Sequence, residues 1–272
     1  MTTNILSTLQ YWLVDHPKIQ HFSWAQGENL GSSWEFLLST ILTYLSLTFL
    51  LSNVQLPFLK PQVMIKPFLI LHNINLLVLS FTMALGCTLS IFSHLPNVNY
   101  IICFPKHTKP TGPLFFWTYI FYLSKILEFL DTLLIIFSNS INRLTFLHVY
   151  HHATVLVMCY LSLYTSESMF SLVLVTNSSV HMLMYTYYLS CALGVRPKWK
   201  RLVTDCQIVQ FWSSFFIMLV ICIYHFTGEG CSGIWGWFFN AVFISSLLVL
   251  FTQFYSKNYS PTKKKASMTK NA

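Results

Sequence analysis

Seven runs of apolar residues, each close to the roughly 20 residues a helix needs to cross a bilayer, divide this chain. They lie at 33–53, 66–92, 114–137, 145–165, 168–192, 204–226 and 233–256. In hydrocarbon no water is present to pair backbone N–H and C=O groups, so such runs are helices, paired within the segment, or closed barrels, paired between strands. The alternating pattern of an outer-membrane barrel is absent. Only 9% of residues are charged, against about 25% in ordinary soluble domains. The chain therefore reads as an all-α membrane protein with seven transmembrane helices. A polar N-terminal segment covers 1–32, the helical domain 33–256 and a basic tail 257–272. No signal-peptide pattern is seen at the start.

The basic residues choose the sides. Twelve Lys and Arg, from Lys60 through Arg143, Arg196 and Lys198 to Lys270, fall on the face of the C-terminus, against Lys18, Lys106 and Lys109 on the other. This positive-inside bias predicts a cytosolic C-terminus and a lumenal or extracellular N-terminus. The net charge of +8 thus reflects topology and lipid headgroups, and no nucleic-acid partner is expected. Lys263-Lys264-Lys265 reads either as a solvated charge run or as an address or headgroup contact. A dilysine retrieval signal is matched only by Lys270.

Within this frame the polar residues gather at one depth. Lys125, Glu128 and Asp131 occupy the cytosolic half of the third span, spaced so that neighbours can pair along one helix face. His148, His151 and His152 lie in the first turns of the fourth span and can line one side of it. Asn177 and His181 form an i,i+4 pair in the fifth, followed by Tyr185, Tyr187 and Tyr188; Thr204, Asp205, Gln207 and Gln210 begin the sixth. A charged side chain costs about 2.5–3.5 kcal/mol at a bilayer centre, so four helices placing such groups together predict a shared polar chamber open to the cytosol. Glu128 alone could equally be half of a structural ion pair, and Tyr185 and Tyr188 an interfacial belt. His16, His21, His94, His107 and His225 read as loop or interfacial residues, and His72-Asn73 in the second span stays ambiguous.

Two chemistries suit such a chamber. A membrane di-iron site would need further histidine boxes beyond one HxxHH and His181. Seven cysteines without paired CxxC spacing give no zinc signature, and no metal or bound cofactor is expected. Acid–base or covalent work fits better: an imidazole can serve as general base or attack a thioester to give an acyl-imidazole. Lys125, Gln207 and Gln210 could polarise a carbonyl or hold a phosphate.

The motifs Lys125-Ile126-Leu127-Glu128-Phe129-Leu130-Asp131-Thr132, His148-Val149-Tyr150-His151-His152, Asn177 to His181 with Tyr185 and Tyr188, and Thr204, Gln207 and Gln210 resemble, in order and spacing, those of the ELO family of very-long-chain fatty-acid elongases. The chain departs from that pattern at His72-Asn73, where Tyr-Asn is expected. The resemblance implies an acyltransferase of the endoplasmic reticulum membrane. It would condense an acyl-CoA with malonyl-CoA, releasing CO2 and CoA, to give a 3-oxoacyl-CoA two carbons longer. It further implies spans 2–7 arranged as a six-helix barrel around an acyl tunnel. A reductase, a dehydratase and an enoyl reductase would complete the cycle, and homo-oligomers are left open. His151 is then the candidate acyl carrier or base. His148 and His152 would tune it, and His181 with Asn177 would orient the second substrate. Lys125, Glu128, Asp131, Tyr185, Tyr188, Gln207 and Gln210 would order the chamber and the CoA arm.

Cys103 and Cys231 fall in loops on the oxidising side, where disulfides persist, and a bridge between them is expected. A seven-helix transporter or receptor is the rival reading. A transporter would place its site at the midplane, reachable from both sides, whereas these motifs gather toward one mouth.

Overall fold

The computed structural model describes residues 4–53, 61–94 and 98–259. Lys60, Lys263, Lys264, Lys265 and Lys270 lie outside the described residues. The long helices are α1 (Trp34–Asn53), α2 (Pro61–Ser93), α3 (Pro113–Leu127), α4 (Phe129–Phe137), α5 (Phe146–Tyr164), α6 (Phe170–Ala192), α7 (Lys200–Thr227) and α8 (Ile234–Tyr259). Among the described residues the only strand-like pairing is one isolated bridge, Ser23 with Thr111.

Local chemistry sets several of these ends. Gly112 takes φ 84° and Pro113 occupies the first position of α3, where a missing N–H costs nothing. Thr145 caps α5, its hydroxyl accepting from the His148 N–H at 3.2 Å.

Five helices have the length and composition to cross a membrane: α1, Met64–Ser93 of α2, α5, α7 and α8. The protein is a multi-pass membrane protein. The third expected span is interrupted at Glu128, leaving helices of 15 and 9 residues. The fifth, α6, has 23 residues but carries Asn177, Ser178, Ser179 and His181 at its centre.

Helix α2 packs on α6 and α3, α3 on α5, α5 on α8, α8 on α7, and α7 back on α6. Helix α1 packs on α5 and α4. Gly86 lets α2 approach α3 closely, since a Cβ there would sit 2.2 Å from the Trp117 ring.

One end of the bundle is covered by the N-terminal segment, which is docked rather than simply polar. Val14 and Trp24 are buried. Trp117 Nε1 donates to the Leu13 carbonyl at 3.0 Å, the Tyr122 hydroxyl to Gly31 at 2.8 Å and the Tyr160 hydroxyl to Ser32 at 3.0 Å. At this same end a Cys103–Cys231 disulfide, with Cα atoms 4.9 Å apart, ties the segment before α3 to the start of α8.

Candidate active site

The chamber begins at the α3–α4 break. Lys125 Nζ donates to Glu128 Oε1 at 2.7 Å and to Asn177 Oδ1 of α6 at 3.4 Å, and lies 4.2 Å from the centroid of the Phe121 ring. Both members of the pair are almost wholly buried, with side-chain exposures of 1% and 3%. A charge so placed needs partners of this kind, because desolvation is otherwise uncompensated.

Asp131, like-charged with Glu128, does not continue the Lys125–Glu128 pair along the helix face. The N–H of Asp131 bonds the Glu128 carbonyl at 3.0 Å, a tightened turn that re-aims the following residues. Asp131 instead accepts from the Tyr185 hydroxyl at Oδ2, 2.9 Å, and faces His72 Nε2 at Oδ1, also 2.9 Å. Asn177 likewise turns to Lys125 rather than to His181.

The threonine cap on α5 starts the helix so that the histidine box faces inward. His148 Nε2 lies 2.9 Å from Thr132 Oγ1. The rings of His148 and His152 are 4.4 Å apart by centroid, and those of His151 and His152 5.5 Å. His151 also lies parallel to Phe243 of α8, with centroids 6.2 Å apart, while Tyr150 turns to Ser246 of the same helix at 2.7 Å. From α6, His181 Nδ1 approaches Glu128 Oε1 at 3.5 Å, an ion-pair distance too long for a hydrogen bond.

Several polar atoms of this region are left over. Nδ1 of His151, His152 and His181, and Oε2 of Glu128, are buried without a hydrogen-bond partner. Most buried polar atoms in proteins are paired, so four unpaired ones on three helix segments suit a polar ligand placed among them. Among the described residues no group of three or more His, Cys, Asp or Glu is arranged to hold a metal ion.

A family model for the GNS1/SUR4 (ELO) family matches residues 29–267. The chain belongs to the ELO family. Similar curated proteins include "Fatty acid elongase 3-like" of Arabidopsis thaliana, 27% identical over 97% of this chain and 96% of that protein. "Fatty acid elongase A" of Dictyostelium discoideum is 35% identical over 78% of each chain. "Very long chain fatty acid elongase 5" of Xenopus laevis is 33% identical over 78% of this chain and 70% of its own.

Not every expected residue joins the network of this ELO protein. Gln207 reaches α6 through Met184 Sδ at 3.9 Å, rather than through a histidine or carboxylate, and Gln210 is buried. Tyr188 stacks edge-on with Tyr185, 6.1 Å between centroids, under the Arg143 guanidinium at 5.6 Å. Conversely, His72, ambiguous in sequence, is buried against Asp131, and its position beside Asn73 was the one available signal. Tyr44 and Phe243 gave no signal at all, each being one aromatic residue within an apolar helix.

Proposed function

We propose that this ELO-family protein is the condensing enzyme of fatty-acid elongation, a 3-oxoacyl-CoA synthase that joins a long-chain acyl-CoA to malonyl-CoA. Support comes above all from one observation: three imidazoles from two helices, with a buried Lys–Glu pair, converge where their Nδ1 atoms have no protein partner. The curated relatives named as elongases support the same reaction class.

In the proposed sequence a His151 nitrogen attacks the thioester carbonyl. The N–C bond forms, the C–S bond breaks, and CoA leaves as thiolate, taking up the imidazole proton. Malonyl-CoA then loses its carboxylate as CO2. The electron pair of that C–C bond becomes an enolate that attacks the acyl carbon, and the C–N bond breaks to restore the imidazole, which regains a proton. Acyl-CoA, malonyl-CoA and one proton thus give 3-oxoacyl-CoA, CoA and CO2. His181 with Asn177 orients the second thioester and stabilises the enolate oxygen. His148 and His152 hold His151 and move protons. Lys125, Glu128, Asp131, Tyr185, Tyr188, Gln207 and Gln210 order the chamber and the CoA arm.

The proposed setting is the endoplasmic reticulum, with seven spans, the basic face cytosolic and the disulfide end lumenal. The helix neighbours α2, α3, α5, α8, α7 and α6 form a closed series of contacts, which supports a six-helix barrel around an acyl tunnel with α1 outside it. A reductase, a dehydratase and an enoyl reductase would act on the product.

The test uses purified protein in liposomes with malonyl-CoA and a ladder of acyl-CoAs, with CoA and product read by mass spectrometry. Product from the wild type and none from His151→Ala is the expected result. No product at any chain length from folded protein would overturn the reading.

A further inference from the structure

Helix α1 carries none of the four motifs, yet it delivers a hydroxyl to the histidine box. Tyr44 OH lies 3.0 Å from Thr132 Oγ1, across 88 residues of sequence, and Thr132 Oγ1 lies 2.9 Å from His148 Nε2. Thr132 is fully buried and Tyr44 nearly so. The Tyr44 ring is fixed by a parallel stack on Phe129, 4.1 Å between centroids and 18° between planes. It lies 6.4 Å from the His152 ring as well. Tyr44 also lines a cavity of about 250 Å³ between α1 and α4, bordered by Ser39, Thr43, Leu47, Phe129 and Leu133.

A threonine hydroxyl can accept twice but has one hydrogen to give; Tyr44 and His148 are its only hydrogen-bond partners among the described residues, so for that buried hydrogen to be used one of the two must accept it. A phenol, with an ordinary pKa near 10, is a stronger acid than an aliphatic hydroxyl and so the better donor. The chain then runs one way: Tyr44 donates to Thr132, and Thr132 donates to His148 Nε2. A ring whose Nε2 accepts must carry its hydrogen on Nδ1. One residue on an outlying helix thereby selects one of two tautomers in the box.

We infer that Tyr44 is a positioning residue for His148, acting through Thr132 to fix the ring's orientation and tautomer. Its kinetic consequence rests on the condensation reading above; the chemical consequence for His148 does not.

The experiment measures carbethoxylation of His148 by diethylpyrocarbonate, mapped by peptide mass spectrometry, across pH. The reagent attacks an imidazole nitrogen that has a free lone pair, so a hydrogen bond to Nε2 shields His148. Thr132→Val frees that nitrogen and is expected to raise the rate on the order of tenfold, the factor that corresponds to the loss of a hydrogen bond of about 1.4 kcal/mol. Tyr44→Phe keeps the stack on Phe129 and removes only the hydroxyl, and is expected to give an increase of several-fold. Thr132→Ser retains the donor and is expected to match wild type, as is Thr43→Val, which alters the cavity wall alone. In the condensation assay Tyr44→Phe is expected to lower kcat with little change in KM for acyl-CoA. His148 reactivity in Tyr44→Phe equal to wild type would overturn the role of Tyr44, whatever Thr132→Val does, and Thr132→Ser behaving as Thr132→Val would overturn the relay. If Thr132→Val fails to fold, Tyr44→Phe decides the matter, since its ring packing is intact. A wild type that shows no condensation would sink the functional reading while leaving this reactivity test in force.

Discussion

Two carboxylates are buried almost completely in this protein and are accommodated in opposite ways. Glu128, at the break between α3 and α4, is met by a cation, Lys125, at 2.7 Å, and its Oε2 is left without a partner. Glu167, in the turn between α5 and α6, is met only by neutral groups: Ser162 Oγ at 2.6 Å from Oε2, and Asn240 Nδ2, which donates to Oε1. Burial without a cation pushes the Glu167 carboxyl up to about 8. The serine supports that protonated form. Ser162 has one hydrogen and the Met158 carbonyl lies 2.9 Å from its Oγ. A protonated Oε2 can donate to Ser162, leaving the serine hydrogen for Met158. Two glycines make room, Gly233 just before α8 and Gly236 in its first turn, since a Cβ on Gly233 would lie 2.4 Å from the Glu167 Cα and one on Gly236 3.0 Å from Oε2. Glu167 therefore works as a neutral cross-link, with both carboxyl oxygens bonded. Glu128 sits in a charged site and keeps an oxygen free for something else.

Breaking the charged site should produce the largest effect. Lys125→Met leaves Glu128 buried without its cation, and a loss of about 3–5 kcal/mol in stability is expected, measured as thermal aggregation of detergent-solubilised protein. The double variant Lys125→Met/Glu128→Gln should regain most of that stability without regaining condensation. If the single variant melts with wild type, the contrast between the two carboxylates fails. Next comes the staple at the Glu167 end: Cys103→Ser opens a 128-residue loop, and a loss of about 2–5 kcal/mol is expected, matched by reductant on the wild type.

Glu167→Gln sharpens the comparison through its sign. The amide has the shape and hydrogen-bonding pattern of the protonated acid, so the change is expected to stay within about 1 kcal/mol at acidic pH. Below about pH 4.5 the wild-type carboxyl is protonated in both folded and unfolded chains, and its contribution is fully present. As pH rises toward about 8 the unfolded chain ionises first, and that contribution is lost. Wild-type melting temperature should therefore fall relative to Glu167→Gln across this window, and parallel curves would refute the neutral cross-link. The smallest effect is at Ser171, whose buried hydroxyl has no partner and borders a cavity of about 10 Å³ beside Glu167. Ser171→Ala should leave stability unchanged or raise it by up to about 1 kcal/mol in the same melt.

The same contrast shows what could be read from the sequence. The helices were legible because apolar runs of spanning length leave little alternative, and the histidine box because three imidazoles in five residues have no business in hydrocarbon. Lys125 and Glu128 were legible as a pair by their spacing. The turn that separates Asp131 from them was not, since no Gly or Pro marks the break at Glu128. Glu167 carries no local signal of its role, because Ser162 and Asn240 approach it from two helices and only the folded chain brings them together. His72 with Asp131 and Tyr44 with Thr132 are separated by 59 and 88 residues, and no local pattern encodes such contacts. The docked segment before α1 escaped for the same reason: its anchors are backbone carbonyls, which carry no residue signature.

The most direct measurement supplies a long-chain acyl-CoA without malonyl-CoA and follows protein mass and CoA release together. The expected result is one CoA released per protein and one acyl group on the peptide containing His151, discharged as 3-oxoacyl-CoA when malonyl-CoA is added and absent in His151→Ala. An acyl group on another residue, or steady turnover with no adduct and no CoA released before malonyl-CoA arrives, would contradict His151 as the acyl carrier.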